Sequence, residues 1–180
     1  MRRDVLLIVL LLSPICLFAQ GAVRFQNSTN NLVYLDYAGG QLAGPEHLAG
    51  LYYAPDGTMD ESAFIMLSPT AIINAGLFSG GVRTSPNVLG TYGLFQVRIW
   101  TSAFGSDYNG AVALGDHSTG KSNILRFKPA DPTKSPPEPP TDLAIMGLQP
   151  MVVVPEPRIW MIWLFGIGSL AFVLRAGLRG

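Results

Sequence analysis

Residues Ile159 to Leu174 form a run without a single charged side chain, and Trp160, Trp163, Phe165 and Phe172 lie within it. A segment of this kind partitions into lipid. At about 16 residues and roughly 1.5 Å rise per residue it spans about 24 Å, a little less than a hydrocarbon core of about 30 Å. Arg158 and Arg175 flank the run and can snorkel, with local thinning of the bilayer supplying the remainder. Arg175 and Arg179 follow it and assign the tail to the cytoplasmic side, with the body outside. A buried core helix is the competing interpretation, but such a helix rarely lacks a polar face altogether.

The opposite end is also apolar. Arg2 and Arg3 precede the stretch Val5 to Leu12, Ser13 and Pro14 break it, and small residues follow at Ala19 and Gly21. This is the layout of a secretory signal peptide, expected here over residues 1–21. Cleavage after Ala19 and after Gly21 both satisfy the small-residue requirement, and Gly21 is slightly favoured on sequence. The only cysteine, Cys16, falls inside this leader, so a mature chain would hold together by packing alone.

Just before the C-terminal run stands Val154-Pro155-Glu156-Pro157. Two prolines fix an extended backbone that cannot join the helix, so the tripeptide is a rigid handle at the lipid boundary. Pro-Glu-Pro, an apolar helix rich in Gly, Leu and Trp, and terminal arginines together resemble the PEP-CTERM protein-sorting domain of Gram-negative bacteria. The resemblance covers roughly residues 153–180. It implies that Pro155, Glu156 and Pro157 are recognised by exosortase, a membrane transpeptidase-like enzyme that processes the anchor. Arg158 departs from the pattern, standing where Ser or Thr is usual, and the terminal basic cluster is thin. A second Pro137-Glu138-Pro139 lacks a following apolar run and reads as linker.

Between the ends, short apolar runs alternate with Gly, Pro, Asn and Asp clusters, the punctuation of an all-β domain. Val23 and Phe25 alternate with Arg24 and Gln26, and Val33 and Leu35 repeat the pattern. The clearest strand is Leu94 to Trp100, with Phe95, Val97 and Ile99 on one face and Gln96 and Arg98 on the other, which suits a central position. Further strands are expected at 51–54, 64–67, 71–74, 81–84, 111–114 and 124–127. Turns are expected at Pro55-Asp56-Gly57, Gly80-Gly81 and Asn109-Gly110. The expected fold is a single β-sandwich-like body over 22–127, followed by a proline-rich spacer at 128–141, one possible last strand within 142–154, and the sorting tail at 155–180.

Twelve basic and twelve acidic residues give a net charge of zero, so no basic field recruits nucleic acid. Gly115-Asp116-His117-Ser118-Thr119-Gly120-Lys121-Ser122 matches a phosphate-binding loop letter for letter. That chemistry needs a strand leading in and a helix following, whereas residues 123–128 are patterned as a strand and end at Pro129, so a hairpin loop with a solvated Lys121 is expected. His47 and His117 are the only histidines and are expected to be solvated; no zinc spacing and no nucleophile elbow is present. Asp56, Asp60 and Glu61 do not match a calcium loop, and Tyr52, Tyr53, Trp100, Phe104 and Tyr108 are either core or a sugar-stacking platform. No catalytic, metal or cofactor residue is therefore assigned. The expected function is a non-enzymatic exported surface or matrix protein, with an exosortase-type enzyme and the membrane as partners. A carbohydrate-binding module for extracellular polysaccharide is the alternative, and an exported hydrolase built on His47 and carboxylates is a third.

Overall fold

The computed structural model describes residues 20–155. The leader up to Ala19, Glu156, Pro157, the apolar run 159–174 and the trailing arginines lie outside the described residues. Among those described, no helix is long and apolar enough to cross a membrane.

The fold is mostly β, as expected. Ten strands appear among the described residues: β1 (Gly21–Gln26), β2 (Val33–Leu35), β3 (His47–Pro55), β4 (Ile65–Asn74), β5 (Leu77–Ser85), β6 (Gly93–Thr101), β7 (Ser118–Lys121), β8 (Leu125–Phe127), β9 (Thr141–Asp142) and β10 (Met151–Pro155). They form one hydrogen-bonded sheet in the order β2-β10-β7-β6-β3-β4-β5-β1-β9, with β8 also on β6, curled into a half-barrel. One continuous curled sheet thus stands in place of the two facing sheets of a sandwich. Curling lets a single sheet enclose its own core: Val23, Phe25, Leu51, Phe95, Val97, Ile99, Phe127, Met151 and Val153 meet on the concave side.

β6 carries the predicted alternation and lies centrally, between β3 on one side and β7 and β8 on the other. Phe95, Val97 and Ile99 enter the concave core, whereas Leu94 and Trp100 join Tyr52, Ala54, Phe64 and Ala111 on the convex side. Both faces are covered, so every residue from Gly93 to Trp100 is buried.

Four local expectations are corrected. Residues 108–113 form a short helix, α1 (Tyr108–Ala113), where a strand was expected at 111–114 and a turn at Asn109-Gly110. The cause is Asp107, whose carboxylate accepts from the Gly110 N–H at 2.8 Å and caps the helix. Gly80-Gly81 is not a turn but a bulge inside β5, where the register against β1 shifts beside Phe25 and Gly81 has φ 74°. A side chain at Gly80 would collide with the Phe25 ring. The two short strands at 64–67 and 71–74 merge into β4 through Pro69, which pairs with Gly50 where the ladder to β5 has not yet begun.

The proline-rich stretch folds back on the sheet. Ala130 exchanges two backbone hydrogen bonds with Ala22, at 2.8 and 3.1 Å, and Thr141–Asp142 adds β9 beside β1 in parallel. The chain then re-enters the sheet as β10, parallel to β2 and antiparallel to β7.

Candidate functional site

The Pro-Glu-Pro tripeptide begins inside the sheet. Val154 pairs with Thr119 and Pro155 with Ser118, while Met151 to Val153 pair with Val33 to Leu35. Gly120 permits this seat: a Cβ there would stand 2.6 Å from the Val152 carbonyl oxygen. Of the three motif residues, Pro155 belongs to β10, and Glu156 and Pro157 lie outside the described residues.

The strand ends beside Pro155 gather polar groups. His47 opens β3, Thr101 closes β6 opposite it, and Ser118 opens β7. His47 is buried, not solvated as expected. Its Nδ1 lies 3.1 Å from Glu46 Oε1 and its Nε2 lies 3.4 Å from Ser118 Oγ. Asp116 anchors the group by accepting from the Thr101 and Ser118 amides at 2.6 and 2.9 Å and from the Thr101 hydroxyl at 3.1 Å. A hydrogen bond from the backbone amide of Glu46 itself, followed by contact with Gly44 and His47, holds the Glu46 carboxyl below its ordinary range. With Nδ1–H donating to Glu46, the Nε2 lone pair faces the Ser118 hydroxyl, which is the order acid, imidazole, hydroxyl of a nucleophilic site. His117 is exposed.

The phosphate-loop letters do not make a phosphate loop. Residues 118–121 are β7, and the next element is the strand β8. Lys121 is an ion-pair partner rather than a free loop cation: its Nζ lies 2.6 Å from Glu61 Oε2 and 5.7 Å from the Tyr108 ring centre. That bond is the chief reason the Glu61 carboxyl sits below its ordinary range.

Behind this pair lies a buried cation that sequence reasoning had assigned only to a face. Arg98 is 2% exposed. Its guanidinium lies 4.4 Å from the Tyr52 ring centre, 5.5 Å from Tyr108 and 5.6 Å from Phe64. It donates to Gln96 Oε1 at 2.8 Å, to the Glu61 carbonyl at 2.7 Å and to Asn109 Oδ1 at 3.4 Å. α1 and the turn at Glu61–Ala63 therefore close over the convex face through one side chain. Burial pushes the Tyr52 hydroxyl up, and that oxygen accepts from the Tyr108 amide at 3.0 Å.

Tyr52, Tyr53 and Trp100 are buried, and Phe104 and Tyr108 pack against the convex cluster, so these five rings do not line up as an exposed platform. The acidic residues of this stretch already have partners within the fold. Asp56 holds Arg126 by two 2.7 Å contacts, and Asp60 caps the turn at Glu61–Ala63.

A cleft of about 510 Å³ lies where the proline-rich stretch folds back, lined by Gly90, Lys128, Asp131, Lys134, Glu138 and Thr141 among others. Lys134 pairs with Glu138, whose other oxygen accepts from the Asp131 amide at 2.8 Å. Near it Tyr92, 39% exposed, carries Arg126 at 3.9 Å and Lys128 at 4.9 Å over its ring. The volume is that of a small-ligand site, but its walls are polar and charged where most such sites are apolar. Comparison with protein-family models, with curated proteins and with solved structures finds no match to this chain.

Proposed function

We propose that this is an exported surface or matrix protein with a non-enzymatic β body. In this reading a signal peptide precedes the body and a transmembrane helix follows it, with Pro155, Glu156 and Pro157 as the tag for an exosortase-type enzyme. The observation that supports it is that Pro155 is paired with Ser118 in the sheet, so the folded body reaches the tag, and Ile159 follows only a few residues later in the sequence. A processing enzyme would then meet the tag against the end of a paired strand, close to the bilayer.

The test is intact-mass analysis of the protein from cells with and without the processing enzyme, and with Glu156→Ala. The expected result is loss of residues beyond the tag only when enzyme and Glu156 are both present. Release of the unprocessed full-length chain from membranes by carbonate washing would overturn the anchoring reading.

A second reading, a carbohydrate-binding module, is favoured by the cleft beside Tyr92 and not by the five rings named above. Lys128 at its wall, with Lys134 already paired to Glu138, offers a cation for a carboxylated polysaccharide. A glycan array probed with the full-length protein tests it, and equal signal from Lys128→Ala and the native chain would exclude this cleft as the sugar site.

A further inference from the structure

Sequence leaves two places for removal of the leader, and the fold distinguishes them. Gly21 is the first residue of β1 and sits opposite Ser85 in the β1–β5 ladder. Ser85 is wholly buried, and its hydroxyl, which donates chiefly to Asn87 Oδ1, lies 3.3 Å from the Gly21 carbonyl. A side chain at position 21 would collide with the Pro129 ring, so Gly21 is fitted closely beneath the stretch that folds back. Ala22 is 6% exposed, and its amide donates to the Ala130 carbonyl at 2.8 Å. Gln20 is exposed.

A cut after Gly21 would convert the Ala22 amide into an α-ammonium group, which is largely charged at neutral pH with a pKa of about 8. One of its protons could keep the bond to Ala130, but the charge and the remaining protons would be enclosed at a buried residue. The same cut would remove the Gly21 carbonyl from the Ser85 hydroxyl. A cut after Ala19 leaves the new ammonium on exposed Gln20, in water, and keeps every β1 contact. Sequence slightly favours the cut after Gly21, which has Ala19 two residues before it where the cut after Ala19 has Leu17, whereas the stability of the folded product favours the cut after Ala19.

We infer that the leader is removed between Ala19 and Gln20, so that Gln20 is the N-terminal residue of the mature protein and Gly21 remains as the first rung of β1. This rests on the exported reading above and deepens it. The chemistry is hydrolysis of one peptide bond by water: Ala19 leaves with a carboxylate and Gln20 gains the amine. An N-terminal glutamine can further cyclise when its amine attacks its own side-chain amide carbon and expels ammonia.

The test is intact mass with fragmentation of the protein recovered from the envelope of cells producing the full chain. The expected N-terminus is Gln20 or its cyclised form, lighter by one ammonia. A product starting at Ala22 would overturn the inference and leave export standing. A product retaining Met1 through Ala19 would overturn the inference and the export reading together.

Discussion

Replacing Arg98 tests how the convex face is held. Its guanidinium is enclosed by three rings and bonded to three neutral oxygens, two of them at 2.7 and 2.8 Å. Truncation by Arg98→Ala leaves the Gln96 oxygen and the Glu61 carbonyl short of a donor, at about 1–3 kcal/mol each when buried. Loss of the ring contacts removes up to about 2 kcal/mol more, and the vacated space adds to this. Relief from burying a charge offsets part of the sum. The net expectation is a destabilisation of about 3–5 kcal/mol. With a urea m-value of about 2 kcal/mol per M, the unfolding midpoint should fall by about 1.5–2.5 M. The assay is urea unfolding of the purified full-length chain in mild detergent, followed by circular dichroism of the sheet. Arg98→Lys should recover little, because an ammonium cannot reproduce the planar fork or stack flat on Tyr52. A midpoint for Arg98→Ala within about 0.3 M of the native value, less than the scatter of such extrapolations, would refute the view that this cation ties α1 and the Glu61 turn to the sheet.

Gly120→Ala should loosen the seat of β10, since its Cβ would meet the Val152 carbonyl oxygen at 2.6 Å. A loss of about 1–3 kcal/mol is expected, with faster hydrogen exchange at Val152 and Val154, and unchanged exchange there would count against the fit. Acid should destabilise the fold. The carboxyls of Glu46, Asp56, Asp60, Glu61, Asp131 and Glu138 all lie below their ordinary range in the folded chain. Groups with depressed folded values contribute stability above their unfolded pKa, about 4, and lose it as pH falls through the folded value. The urea midpoint should therefore drop between pH 5 and pH 3, and a flat profile over that window would contradict these contacts. Ser118 should resist a fluorophosphonate probe, because the His47 ring is buried and its Nε2 stands 3.4 Å from the Ser118 hydroxyl, too far for a strong hydrogen bond. Stoichiometric labelling that disappears in Ser118→Ala would replace the non-enzymatic reading with a hydrolase.

The alternation of Phe95, Val97 and Ile99 against Gln96 and Arg98 was legible because a strand's side-chain period is two and needs only near neighbours. The uncharged run at 159–174, the Pro-Glu-Pro beside it and the all-β character likewise follow from local composition. α1 was missed because six residues are too few for a helical period, although Asp107 three residues before Gly110 was a capping signal in plain view. The partners of Arg98 and His47 could not be read in this way: Glu61 stands 37 residues from Arg98, and Ser118 stands 71 residues from His47. Those separations close only when the sheet curls and lays β3, β6 and β7 side by side. So the sequence by itself determined which segments are extended and which ends are apolar, properties set within a few residues of each position. Only the tertiary structure decided the single curled sheet, the buried cation and the place of Gly21 inside β1, because each depends on which distant strands share hydrogen bonds.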